Sequence, residues 1–178
     1  MNALLVSSLL SFQAAAAHVK SVEADSHGTS GKGIVVGIVD APMDDVAALI
    51  QDCERMGEWF PDILETTEVA GGSGTPLCRG TTDVPWPLED RVWTVESSHR
   101  QAAGGWEVYE FRYLPGSGNL TEMDGRYWLR EGAGGTEVRY EVTIDLGIWV
   151  PSPIVGWATQ RWLPGIVHGL GSVLNGEA

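Results

Sequence analysis

The sequence predicts an α+β domain: an antiparallel sheet with helices gathered on one of its faces. Three patterns carry that expectation. Alternation late in the chain places Val138, Tyr140, Val142 and Ile144 on one side of a strand and Glu137, Arg139, Glu141 and Thr143 on the other. Glycine clusters at Gly71-Gly72-Ser73-Gly74, Gly104-Gly105, Gly116-Ser117-Gly118 and residues 132–135 divide residues 63–148 into short β-type runs, the signature of a meander. A helical pattern over residues 154–174 then offers Trp157, Trp162, Leu163, Ile166, Leu170 and Leu174 as a cover for the dry face.

Taken in order, residues 1–17 carry no charged side chain, are apolar through residues 3–10 and close on Ala14-Ala15-Ala16-Ala17. This is the pattern of a cleavable secretory leader, too short to span a bilayer, with an apolar helix docked on the domain as the alternative. The leader reading places one domain, residues 18–178, outside the cytoplasm, secreted or periplasmic, and a monomer is expected. Residues 19–24 and 33–39 read as a hairpin around the turn cluster at residues 26–31. Pro42, Asp44 and Asp45 suit a helix start, and Val46, Leu49, Ile50 and Cys53 recur at helical spacing, which predicts a helix over residues 43–55. Pro61 forbids its simple continuation past Gly57. In the meander Tyr109, Phe111 and Tyr113 oppose Val108, Glu110 and Arg112, so aromatics collect on one side. Pro151 and Pro153 open the last helix, and Pro164 predicts a kink or break near Trp162 and Leu163.

Composition narrows the function. Twenty-four acidic against eleven basic residues give a net charge of −13, which repels a phosphate backbone and disfavours anionic lipid. Nucleic acid is excluded as a partner, and membrane contact is expected to be transient at most. No G-x-S-x-G elbow occurs, and the glycines of residues 31–37 lack dinucleotide-binding spacing and lead into a strand. His18, His27, His99 and His168 have no paired spacing, and Cys53 and Cys78 form no C-x-x-C, so neither metal nor cofactor is expected. In an oxidising compartment the two cysteines permit one disulfide; two separately buried thiols are the alternative. Asn119-Leu120-Thr121 matches a glycosylation acceptor and otherwise reads as a loop asparagine.

The chain has eight tryptophans against three phenylalanines. Trp59 and Trp106, near turns, read as caps on the core. Trp86, Trp93, Tyr109, Phe111, Trp128, Tyr140, Trp149, Trp157 and Trp162 are candidates to line a cavity or its mouth, and a pocket so lined, with few polar anchors, is a binding site. Arg91, beside Asp90, either anchors an oxygen of the ligand or pairs across the sheet with Glu89 or Glu110.

Particular segments add a resemblance. Val39-Asp40-Ala41-Pro42, Glu58-Trp59-Phe60-Pro61, Val84-Pro85-Trp86-Pro87-Leu88-Glu89-Asp90-Arg91, the run Asp145-Leu146-Gly147-Ile148-Trp149-Val150-Pro151 and the final Trp162-Leu163-Pro164 occur in this order. Together they resemble the START-like, polyketide cyclase-like superfamily, closest to bacterial START-domain proteins, over residues 33–175. The resemblance implies the helix-grip fold, a curved antiparallel sheet wrapped around a long C-terminal helix, with short helices after the first strands. It further implies an internal cavity that holds a hydrophobic small molecule such as a lipid, sterol or quinone. Binding or carriage without chemistry is the expected function. The alternative is a cyclase or aromatase using Arg91, Asp90 or Glu110 on a polyketide-like substrate, and the leader-like segment departs from the intracellular setting of that chemistry.

Overall fold

The computed structural model describes residues 16–72, 76–149 and 152–176; the expected leader falls almost entirely outside them. The strands are β1 (Ala17–His27), β2 (Ser30–Val39), β3 (Ile63–Ala70), β4 (Pro76–Thr82), β5 (Arg91–Ala102), β6 (Trp106–Tyr113), β7 (Glu122–Gly132) and β8 (Gly135–Asp145). They form one antiparallel eight-stranded sheet in the order β1-β2-β8-β7-β6-β5-β4-β3. The hairpin β1–β2 therefore pairs with the last strand of the β3–β8 meander, and the curved sheet encloses the C-terminal helical segment as the helix-grip arrangement requires. Helices α1 (Met43–Gln51) and α2 (Met56–Trp59) fill the connection from β2 to β3. After β8 come α3 (Ser152–Trp157), a π-helical turn (Ala158–Trp162) and α4 (Leu163–Leu174).

The predicted interruption near Trp162 and Leu163 takes the form of that π turn. Pro164 has no N–H to donate and its ring crowds the carbonyl four residues back. The ladder widens just before it, and Leu163 N–H reaches the carbonyl of Ala158. Leu163, just before the proline, and Ile166, Val167 and Leu170 after it are fully buried on one stripe of α4, which packs over β1 and β2 in one core with Val35 and Val39 of β2 and Leu129 of β7. Among the described residues no helix is long and apolar enough to cross a membrane.

Helix α1 stops at Gln51, short of residue 55. Its last predicted contact, Cys53, turns away to form a disulfide with Cys78 on β4, and Asp52 Oδ1 accepts the Arg55 N–H at 3.2 Å in the intervening turn. The disulfide ties the α1–α2 connection to the far half of the sheet.

Helix α4 approaches α2 at Gly169, where a Cβ would lie 1.9 Å from the carbonyl oxygen of Trp59. Alanine in place of glycine gains about 1 kcal/mol of helix propensity. Forcing backbone apart in a packed core costs about 1–3 kcal/mol. Gly169→Ala is therefore expected to lower stability despite its better propensity, measured as a reduced denaturation midpoint with an unchanged m-value.

Candidate functional site

Because α4 lies over β1 and β2, the inner face of the remaining strands is left with a cavity of about 480 Å³ between sheet and helices. Alternation decides what lines it. β5 contributes Arg91, Trp93 and Val95, β6 Tyr109 and Phe111, β7 Met123 and Tyr127, and β8 Tyr140, Val142 and Ile144. Ile50 of α1, Met56 and Phe60 at α2, and Trp157, Trp162 and Leu163 of the C-terminal segment close the other side. Both sulfur-bearing residues of the disulfide, Cys53 and Cys78, stand in the wall.

Phe60, Phe111, Tyr127, Tyr140, Trp157 and Trp162 form one connected cluster of rings. Tyr127 and Tyr140, directly opposed on β7 and β8, have centroids 4.8 Å apart; Phe111 stacks on Tyr140 at 6.1 Å; Phe60 meets Trp162 edge-on at 5.2 Å. Burial pushes the Tyr140 hydroxyl far above the ordinary tyrosine range. It does the same to Tyr127, with a smaller contribution from Tyr140. Both phenols are neutral at any physiological pH.

Arg91 is 7% exposed, and its Nε and Nη2 are buried without a hydrogen-bond partner. Neither acid weighed against it on the sequence takes it up: Glu110 meets Arg100 at 3.1 Å and Arg126 at 4.0 Å on the outer face. Of the indoles, Trp93 donates to Thr82 Oγ1 at 2.9 Å, whereas Trp162 Nε1 is buried without a partner. The orphaned nitrogens of Arg91 and Trp162 are thus donors, while the Tyr127 and Tyr140 hydroxyls in the same wall can donate or accept. Of the acids at its border, Asp25 and Glu68 are exposed, and Glu110 is half-buried and already engaged by Arg100 and Arg126. Among the described residues no group of His, Cys, Asp and Glu is arranged to hold a metal ion.

Seven of the ten sequence-derived candidates meet here: Arg91, Trp93, Tyr109, Phe111, Tyr140, Trp157 and Trp162. Three do not. Trp128 is on the opposite face, because Tyr127 takes the inward position and its neighbour must point out; its ring lies near the guanidinium groups of Arg100 and Arg126, at 5.6 and 5.8 Å. Trp86, 90% exposed, and Trp149, 69% exposed, sit in loops with no strand register to turn them inward. Sequence reasoning missed Tyr127, which the alternation through Gly125 and Leu129 pointed to, and Phe60, Met56 and Met123, for which no local pattern gave a signal.

The family model described as polyketide cyclase / dehydrase and lipid transport matches residues 35–171. No curated protein shows significant sequence similarity. Among solved structures, a STAR-related lipid transfer protein from Xanthomonas axonopodis superposes with a TM-score of 0.68 at 18% identity, over 90% of this chain and 99% of that one. A START superfamily protein from Mycobacterium smegmatis gives 0.62 at 15% identity, over 85% and 100%. The Zhui aromatase/cyclase from Streptomyces sp. R1128 gives 0.56 at 19%, over 84% and 93%.

The two buried phenols set an alkaline limit. Their folded-state pKa values are raised above the unfolded value of 10.0, so below that pH their contribution is fully present. As pH rises past it, the unfolded chain releases protons that the folded chain retains, and stability falls. Chemical unfolding measured from neutral pH to strong alkali is expected to show this decline, reduced in Tyr140→Phe, with ultraviolet absorbance showing Tyr127 and Tyr140 ionising only as the protein unfolds.

Proposed function

Since the chain belongs to the polyketide cyclase / dehydrase and lipid transport family, we propose that it binds and carries a hydrophobic small molecule in the cavity without transforming it. The observation that carries this reading is the cavity itself, apolar and aromatic over most of its wall, with the Arg91 guanidinium and the Trp162 indole N–H unpartnered in it. At about 480 Å³ it falls within the roughly 300–1,000 Å³ of small-molecule sites. The ligand class that fits has a flat or flexible apolar body and an oxygen-bearing head, as in a fatty acid, a sterol or a quinone. Trp93, Tyr109, Phe111, Tyr127, Tyr140, Trp157 and Trp162 contact the body, and Arg91 donates to the head.

Catalysis is poorly served by the same groups. Phenols held neutral far above their usual range are weak acids, and as bases they are unavailable. A cyclase remains the second reading, favoured by the family description and by Arg91, whose guanidinium can polarise a ketone oxygen. Incubation with a poly-β-keto thioester analogue, read by product formation, separates the two. We also propose that the protein acts outside the cytoplasm, with residues 1–17 as its leader; the disulfide supports this, since such bonds persist in oxidising compartments.

Native mass spectrometry of protein purified without detergent is expected to show a co-purifying apolar species, and repeated absence of one, together with failure to take up palmitic acid, a sterol or a quinone, counts against carriage. N-terminal sequencing of the exported protein is expected to start between Ala15 and Lys20. A buried charge without a partner is costly, so Arg91→Met is expected to raise the melting temperature of the ligand-free protein. The same variant is expected to weaken an oxygen-headed ligand about tenfold or more, equivalent to about 1.4 kcal/mol.

A further inference from the structure

A guanidinium that is buried and unpartnered has a strong tendency to swing out to water. Arg91 is poorly placed to resist, because it is the first residue of β5 and the loop before it offers no ladder. On one side β4 holds it, Thr82 opposite Arg91. On the other, β6 has already ended: its last pair is Tyr113 with Val95, so residues 91–94 have no strand partner there. Leu114 N–H, just past β6, bonds the Thr94 carbonyl at 2.9 Å, and the stretch closer to Arg91 is held by one residue. Asn119, in the β6–β7 connection, donates its backbone N–H to the Val92 carbonyl at 3.1 Å, accepts the Val92 N–H on Oδ1 at 2.8 Å and donates Nδ2–H to the Asp90 carbonyl at 2.8 Å.

These bonds clasp the residues immediately before and after Arg91, and they reproduce with a carboxamide the ladder that a longer β6 would supply. The preceding residue permits the approach: a Cβ on Gly118 would lie 1.8 Å from the Val92 carbonyl oxygen. The following residue anchors it, since Leu120 is buried with Trp93, Val95 and Tyr113. We propose that Asn119 is a positioning residue for the ligand cavity, clamping the backbone around Arg91 so that its guanidinium stays inside and selects ligands with an acceptor head. The selectivity part rests on the carriage reading above; the clamp does not.

Two measurements test it. In ligand-free protein, hydrogen exchange of the Arg91 Nε–H, assigned by the loss of its NMR signal in Arg91→Lys, is expected to rise at least tenfold in Asn119→Ala while amides of β7 and β8 change less than twofold. In binding, Asn119→Ala is expected to weaken palmitic acid at least tenfold and hexadecanol less than twofold, and adding it to Arg91→Met is expected to cost nothing more. Should the alanine variant fail to fold, Asn119→Asp keeps the acceptor for Val92 N–H, loses the bond to Asp90, and is expected to move both measurements in the same direction. Unchanged exchange at Arg91 overturns the clamp. Equal losses for acid and alcohol, or additive losses in the double variant, overturn its role in selectivity. A wild-type protein that binds neither probe refutes the carriage reading, and the exchange result then decides the clamp alone.

Discussion

Everything in this molecule depends on where the buried stripe of α4 is spent. Ile166, Val167 and Leu170, each with no exposure, seat the helix against β1 and β2. That choice fixes the C-terminal segment at one edge of a sheet too wide for it to cover. The inner faces of β5 to β8 remain largely apolar, because alternation makes them so, yet α4 does not cover them, and α1, α2 and the segment before α4 meet them only in part. Apolar surface left facing a gap is unstable unless something else fills it. The cavity is in that sense the remainder of the helix–sheet fit, and on the carriage reading proposed above the cargo would complete the core.

The other face of the sheet follows the opposite rule. Arg126 and Arg139 converge on Glu141, Lys20 and Arg130 on Glu137, and Arg112 on Asp124. Arg130 chiefly, with help from Lys20, holds the Glu137 carboxyl below its ordinary range against the opposing effect of partial burial. Exposed pairs of this kind are worth little individually. Their larger effect is on register, since a slip of one residue would turn arginines and glutamates into the cavity and tyrosines into water.

The architecture was legible in the sequence wherever periodicity governed it: the strand alternation, the glycine-punctuated meander, the proline break before α4. The site was legible only in part, for a physical reason. Residue type says how much surface a side chain offers, whereas parity says which side of the sheet receives it. Trp128 was weighed by its size and Tyr127 passed over, although the two occupy adjacent positions and only the odd one faces in. Trp86 and Trp149 lie in loops, where neither rule applies. Met56 and Phe60 enter the wall from the start and the end of α2, which follows the turn tied to β4 by the Cys53–Cys78 link, a long-range contact no local pattern reveals. Asn119 gave a glycosylation-like triplet, but its use as a substitute strand became visible only when β6 was seen to end at Tyr113.

The uneven placement of the indoles makes the protein its own optical probe. Trp93, Trp157 and Trp162 stand in the cavity wall, the latter two 6.1 Å apart and close enough for energy to pass between them, while Trp86 is almost wholly in water. Emission is therefore expected to combine a blue component from the buried indoles, those of the wall among them, with a red one from the exposed Trp86 and Trp149. A molecule entering the cavity perturbs the first and leaves the second as an internal reference, so occupancy is written in the shape of the spectrum without any label.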